Sequence, residues 1–293
     1  MILALTGGTG FVGRATIDAA LAAGHQVRAL TRRPQATREG VVWVAGALDD
    51  AASLAALIDG ADAVIHIAGV VNPPDKAGFV AGNIDGTRAV IAATGVRRLV
   101  HVSSLSAREP QLSVYGWSKR EAETIVAESA SDWTIVRPTG VYGPGDTEMR
   151  DMFRLARLGL AFLPPPGRVS LIHVADLARL LVLLAERPGA EELYEVDDGE
   201  TLTHADLAAA IGRAVGRRVL PMHLPEALMR VAARLDRTLR GDGAKLTLDR
   251  VAYLSHPDWT ARADRRPPAN LWVPQIALDQ GMAQTARSYA IAR

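Results

Sequence analysis

Tyr115 and Lys119 stand at i and i+4 near the start of a segment with helical periodicity, so the predicted helix carries a phenol and an ammonium on one face. Eleven residues before Tyr115, the pair Ser103-Ser104 closes a predicted strand. A phenol with its ordinary pKa of ~10 is a poor base at neutral pH. A neighbouring ammonium stabilises its phenolate and opens proton exchange with a substrate hydroxyl. A serine hydroxyl beside it can hold a carbonyl oxygen. Tyr-x-x-x-Lys alone recurs by chance as a surface pair; the strand-end serine and a glycine loop elsewhere in the chain give it weight.

That loop is Thr6-Gly-Gly-Thr-Gly-Phe-Val-Gly13, which follows a predicted strand and opens a predicted helix. It satisfies both G-x-G-x-x-G (Gly8, Gly10, Gly13) and G-x-x-G-x-x-G (Gly7, Gly10, Gly13). Such glycines allow a tight turn and close backbone approach to a pyrophosphate, which rests on the helix N-terminus at Phe11 and Val12. The end of the second strand bears on which nicotinamide cofactor binds. An acid there grips a ribose 2′-hydroxyl, whereas arginine accommodates a 2′-phosphate. Here Arg28-Ala-Leu-Thr-Arg32-Arg33 has Thr31 where the acid belongs, and two guanidiniums can fork onto a phosphate. The expectation is NADP(H) in preference to NAD(H); the bland alternative is a solvated loop with two stray arginines.

The elements that position these residues alternate. Candidate strands cover 2–6, 26–31, 41–45, 63–67, 98–103 and 134–137, with helical patterns over 12–23, 51–58, 80–93 and 114–130. The strands are near-continuous Val/Ile/Leu runs, as burial on both faces requires. This rhythm predicts an α/β, Rossmann-type doubly wound parallel sheet. After Gly145 the rhythm is lost: 171–186 reads as a helix after a short extended piece, 192–196 as a strand, and 203–215 and 225–239 as helices. The expected division is 1–145 plus 169–196 for the nucleotide-binding domain, and 146–168 plus 197–293 for a smaller, mostly helical substrate domain.

The 293 residues carry 33 Lys+Arg against 32 Asp+Glu, net +1, too balanced for an electrostatic nucleic-acid binder. Zero cysteines exclude disulfides, a thiolate nucleophile and Cys-ligated zinc. The seven histidines show no HExxH-like spacing, so no metal is expected. Mean hydropathy is +0.09 and no run approaches the ~20 apolar residues of a membrane span. With Met1–Leu5 leading straight into the glycine loop, the expectation is a cytoplasmic chain without a signal peptide.

Taken together, TGGTGFVG at 6–13, Ala68-Gly69, Asn83-Ile-Asp-Gly-Thr87, HVSSLSA at 101–107, YGWSK at 115–119, RPTGVYGPGD at 137–146 and IHVADLA at 172–178 resemble the extended short-chain dehydrogenase/reductases. That branch includes NAD-dependent epimerase/dehydratases and 3β-hydroxysteroid-type dehydrogenases, and the match covers most of the first 200 residues. The resemblance implies Ser104 as the catalytic serine, Tyr115 as acid/base, Lys119 as its partner and ribose contact, and Asn83 in the proton-relay region. It implies further cofactor contacts at Ala68, Pro138 and Thr139. It also implies a homodimer joined through the helices around 80–93 and 114–130, which carry Val80, Ile84, Val90, Ile91, Ile125 and Val126.

Three departures bear on the reaction. Leu105-Ser106 stand where sugar-nucleotide dehydratases have Asp-Glu, and Pro138-Thr-Gly140 lacks the asparagine common in sugar epimerases and dehydratases. Ala47 replaces the acidic adenine contact, leaving the Leu48 backbone or Asp49 to hold the adenine. The expected function is hydride transfer between nicotinamide and a secondary alcohol or ketone of a small molecule bound between the sheet edge and the second domain. A nucleotide-sugar epimerase using the same residues, or a non-catalytic sensor or assembly protein, are the alternatives. His66, His101 and His173 read as core or packing residues; Phe153, Phe162, Trp259 and Trp272 line either a substrate cleft or a core. Arg230, Arg234, Arg237 and Arg240 share a predicted helix with Leu228, Val231, Leu235 and Leu239, which reads first as a solvated face, and otherwise as a site for an anionic substrate group or a membrane surface.

Overall fold

A computed structural model describes residues 1–189, 191–243 and 246–289. The chain runs β1 (Ile2–Thr6), α1 (Phe11–Ala22), β2 (Gln26–Thr31), β3 (Val41–Ala45), α2 (Ala51–Ile58), β4 (Ala63–His66), α3 (Lys76–Phe79), α4 (Gly86–Thr94), β5 (Arg98–Val102), α5 (Val114–Ala127) and β6 (Asp132–Pro138). It leaves the sheet as β7 (Gly140–Tyr142), α6 (Arg150–Arg157), β8 (Leu160–Leu163), β9 (Arg168–Val169) and β10 (Leu171–His173). It returns as α7 (Val174–Ala185) and β11 (Glu192–Val196). The remainder is β12 (Leu202–Thr203), α8 (His204–Ala214), β13 (Leu220–His223), α9 (Glu226–Arg240), α10 (Leu248–Leu254), β14 (Asp258–Trp259) and α11 (Leu278–Ser288).

Seven strands pair in the order β11-β6-β5-β4-β1-β2-β3, all parallel. The order reverses at β1/β4, and ligands in such sheets bind at the carboxyl ends of the strands flanking that reversal. Ala4, Leu30, Val64, Leu99 and Ile135 point to one face and pack with Leu54 and Leu57 of α2, Val90 of α4 and Val126 of α5. Alternation sends Leu3, Leu5 and Ala29, also buried, to the opposite face, where α1 packs on β1 and β2. Burial on both faces is why these strands read as unbroken apolar runs.

Two compact units emerge from the contacts: Met1–Pro138 with Ala175–Val196, and Thr139–Val174 with Asp197–Arg293. Residues 139–145 and 169–174, expected with the sheet, fall in the second unit, because β7 pairs with β10 in a separate two-stranded sheet. The second unit is mostly helical, as expected, with short strands between its helices: β13 pairs with β8, and β12, β9 and β14 form a third small sheet. Its core joins Tyr142, Phe153 of α6, Leu207 and Ile211 of α8, and Leu278 and Met282 of α11. A smaller cluster joins Met229 and Ala233 of α9 to Val251 of α10. Thr203 caps α8 in a reciprocal box with Asp206.

The apolar residues of the 80–93 and 114–130 helices are mostly spent inside the first unit. Ile84, Val90 and Val126 are buried there, and only Val80, Ile91 and Ile125 remain half-exposed. The surplus expected for a partner subunit is therefore smaller than the sequence suggests.

Candidate active site

The glycine loop is built so that side chains cannot enter it. Gly7 has φ +76°, and a Cβ on it would stand 2.7 Å from the Ala68 backbone nitrogen; one on Gly13 would stand 2.0 Å from the Gly7 carbonyl oxygen. Gly10 N–H donates to Gly7 O at 3.0 Å, closing the turn. Gly10 is also the N-cap of α1 and supplies no capping side chain, so the first-turn amides at Phe11 and Val12 are left for an anion. The loop after β4 lies against this turn: Ala68 N–H donates to Thr6 Oγ1 at 3.2 Å. The residues present therefore fit a dinucleotide pyrophosphate.

Beyond β2, Thr31 accepts from Arg33 N–H at 3.3 Å and donates to Arg33 O at 2.6 Å, which fixes the loop backbone. The side chains of Arg32 and Arg33 extend into solvent with no carboxylate partner among the described residues. Leu48 is half-buried and packs over Gly86, Asp49 is exposed, and Asp50 caps α2.

Ser113 starts α5 by accepting from Gly116 N–H at 3.0 Å, which puts Tyr115 and Lys119 on its first two turns. Gly116 lets that turn approach the 3₁₀ turn of Leu105–Arg108, because a Cβ there would stand 2.7 Å from Ser106 O. The approach brings the Ser104 hydroxyl to the Tyr115 phenol, where it favours the phenolate. Ser106 Oγ donates to Ser104 Oγ at 2.9 Å, so the Ser104 proton is free to be donated onward. Ser103 is committed elsewhere, donating to Glu123 Oε1 at 2.6 Å. Of the serine pair, only Ser104 faces the phenol.

Lys119 is 4% exposed and donates to Val102 O at 2.8 Å. Burial pushes its pKa down to about 8, against the opposing pull of Glu123. Burial raises the Tyr115 pKa, and the Ser104 hydrogen bond only partly offsets this. The lowering expected from Lys119 does not register at the phenol in the chain by itself, where Ser104 is what opposes the desolvation.

Asn83 lies in a π-helical segment, Val80–Asp85, between α3 and α4. Its Oδ1 accepts from Val70 N–H at 2.7 Å, and its Nδ2 donates to Val70 O at 3.0 Å and to Ser118 Oγ at 2.9 Å. Both amide protons are spent on holding the loop after β4 against α5. Its oxygen lies near the Lys119 ammonium, for a Cβ on Gly69 would touch both, at 2.9 and 3.9 Å.

Beneath the site, His66 and His101 stack with ring centroids 5.2 Å apart. Thr87 gives its proton to Asn83 O at 2.6 Å, so His66 Nε2 donates to Thr87 and His66 Nδ1 accepts from Thr6. Both histidines are neutral: burial, then the Lys119 charge, pushes His66 down to about 3 and His101 well below its ordinary value. His173 is buried edge-to-face on Tyr142, in the second unit.

Residues 7–188 match the family described as NAD(P)H-binding. Ceramide reductase of Caulobacter vibrioides is 37% identical over 273 residues, covering 88% of this chain and 86% of that protein. The chain is an extended short-chain dehydrogenase/reductase. A 4-hydroxy-2-methyl-3-oxo-4-farnesyl-3,4-dihydroquinoline-1-oxide ketoreductase of Stigmatella aurantiaca is 28% identical, covering 80% of this chain and 79% of its own. The crystal structure of gox2253 shares the fold, with TM-score 0.78 at 22% identity, covering 100% of this chain and 99% of that one.

In this short-chain dehydrogenase/reductase the residues singled out from sequence fall into three groups. Gly7, Gly10, Phe11, Val12, Gly13 and Ala68 form one cradle, and Ser104, Tyr115, Lys119 and Asn83 gather at the carboxyl ends of β4 and β5. Pro138 ends β6, buried and paired with Val196, and Thr139 is the buried first residue of the second unit. Phe153, Trp259 and Trp272 are buried, whereas Phe162 is half-exposed. Among the described residues no group of three or more metal-ligating side chains occurs.

Glu123 escaped the sequence reading. It accepts from Ser103 and, through both oxygens, from Arg137 Nε at 2.7 Å and Nη2 at 2.6 Å. Arg137 reaches Glu195 Oε1 at 3.5 Å, and Arg108 reaches Glu195 Oε2 at 3.4 Å. This buried chain of charges ties β5, α5, β6 and β11 together behind the serine pair. Its sequence signal was an acid four residues after Lys119, on the same helical face.

Proposed function

We propose that this chain is an NADP(H)-dependent ketoreductase acting through Ser104, Tyr115 and Lys119. The observation that carries the reading is the gathering of the Tyr115 phenol, the Ser104 hydroxyl and the Lys119 ammonium at the carboxyl end of β5. Reduction of a ketone needs a proton donor at the oxygen where alkoxide charge develops, and a phenol, protonated at neutral pH, supplies one. The bound nicotinamide supplies the hydride to the carbonyl carbon. Ser104, already accepting from Ser106, donates to the carbonyl oxygen, and Tyr115 delivers its proton there. Lys119 stays cationic below about pH 8, where it favours the developing phenolate and is one turn from the phenol for a ribose contact.

The cofactor's pyrophosphate falls to the Gly7–Gly13 turn, and its 2′-phosphate to Arg32 and Arg33. Both reductases named above act, by their names, on molecules with long apolar chains, ceramide in one and a farnesyl quinoline in the other. A ketone carrying a long apolar chain is accordingly the substrate class proposed here. The test incubates the purified chain with NADPH and a panel of such ketones. Stoichiometric loss of NADPH with appearance of the alcohol is expected. An epimerase would turn over with no net loss of cofactor, and that result, or activity with NADH alone, would overturn the reading. Self-association through α4 and α5 completes the proposal; it rests on Val80, Ile91 and Ile125, and a monomer by light scattering at micromolar concentration would contradict it.

A further inference from the structure

Helix α9 uses only a narrow strip of its surface for packing. Met229 and Ala233 turn inward onto Val251 of α10. Leu228, Val231, Leu235 and Leu239 are 53, 50, 58 and 82% exposed. At about 100° per residue these four fall within roughly one third of the helix circumference, as a stripe about 16 Å long. Single exposed leucines are ordinary, but a continuous stripe marks an interaction surface.

Charge indicates what it faces. Arg230 and Arg240 are paired along the helix with Glu226 at 2.7 Å and Asp236 at 3.3 Å. Arg234 and Arg237 are exposed and have no carboxylate partner among the described residues. Along α9 the chain carries four arginines against two carboxylates, although the whole protein is balanced at +1. A second copy of this chain seated on the stripe would bring arginines against arginines, which like charge opposes. An occupant that is apolar in depth and anionic at its surface satisfies both features.

We propose that α9 docks the protein on an anionic lipid bilayer. The helix lies in the interface, with Leu228, Val231, Leu235 and Leu239 at the acyl boundary and Arg234, about 100° round the helix from the centre of that stripe, at the headgroup phosphates. With 15 residues it is about 22 Å long and lies along the surface; no helix of the described residues is long and apolar enough to cross a membrane. The proposal is independent of the reductase reading and needs neither cofactor nor substrate for its test.

The test sediments the full chain with vesicles of phosphatidylcholine alone and of phosphatidylcholine mixed with phosphatidylglycerol. Wild type is expected to bind the anionic vesicles at least about tenfold more tightly, with the preference falling as salt is raised. Leu235→Ser with Leu239→Ser should weaken that binding by roughly 100-fold, the effect of withdrawing two leucines from an apolar phase. Arg234→Gln should weaken it by roughly fivefold and narrow the preference over phosphatidylcholine. All three side chains lie in solvent, so urea midpoints matching wild type serve as the control for folding. Absence of anionic-vesicle binding by wild type, or binding indifferent to both variants, overturns the proposal. So does conversion of a wild-type dimer to a monomer by the leucine pair, which would make a second copy the occupant.

Discussion

Lys119→Met removes an ammonium that the fold holds almost out of water against a single backbone carbonyl. A pKa lowered from 10.5 to about 8 means that folding disfavours the charged form by on the order of 3 kcal/mol. Methionine has similar length without the charge, but it leaves Val102 O without its donor, which returns about 1–2 kcal/mol. The variant should therefore be more stable than wild type at pH 7, by about 1–2 kcal/mol, while losing cofactor affinity and turnover. The gain has a pH signature. Folded wild type sheds the Lys119 proton near pH 8, whereas the unfolded chain keeps it to about 10.5. Between these values the unfolded state binds more protons, so wild-type stability climbs with pH by up to ~1.4 kcal/mol per unit. The variant lacks that slope, so its advantage should shrink from pH 8 upward, vanish at about pH 9–9.5 and turn into a deficit of about 1–2 kcal/mol by about 10.5. Urea midpoints of both proteins across this range measure the difference, in which all other titrations cancel. A variant less stable than wild type at pH 7, or a difference constant with pH, would refute the buried-charge reasoning.

Arg32→Ala with Arg33→Ala should weaken NADPH binding by ~1–3 kcal/mol and leave NADH nearly untouched, read as two dissociation constants; tighter wild-type binding of NADH than of NADPH contradicts the assignment. Gly13→Ala drives a Cβ to 2.0 Å from Gly7 O, so cofactor binding should be lost in a titration, and retained affinity would show that the loop is not the cradle. Glu123→Gln strips the charge that Arg137 pairs with through two bonds, and a loss of about 3–5 kcal/mol is expected from urea unfolding. Because Glu123 also holds the Lys119 pKa up, the basic limb of kcat/KM should move below about pH 8 in that variant, and an unmoved limb would separate Glu123 from the lysine.

Much of the first unit was legible because two-sided burial leaves a plain trace. Ile2–Thr6, Gln26–Thr31, Val41–Ala45 and Glu192–Val196 are apolar-rich runs whose predicted ends match the strands. The π-helical stretch Val80–Asp85 was read as part of one helix with α4, since a π-turn keeps nearly the same apolar spacing. In the second unit β9, β12 and β14 have two residues each, too short for any period to register. The apolar surplus on α4 and α5 was overcounted, because spacing does not distinguish Val90 packed on α2 from a residue awaiting a partner. Within the site, spacing placed Tyr115 and Lys119 on one face, but the choice of Ser104 over Ser103 needed resemblance. The physical ground for it, Ser103 bonded to Glu123, is a contact across twenty residues that no local pattern carries.

Tyr115→Phe is the measurement closest to the central claim. The ring, its packing near Phe79 and the glycine loop remain, so NADP(H) affinity should be unchanged within about twofold. Turnover of a ketone that wild type reduces should fall by ~10²–10⁴-fold, the usual contribution of a positioned acid. Ser104→Ala beside it should lower kcat while sparing cofactor affinity, through one lost hydrogen bond to the developing alkoxide. Full activity in Tyr115→Phe would contradict the account, because no proton donor would then be required at that oxygen.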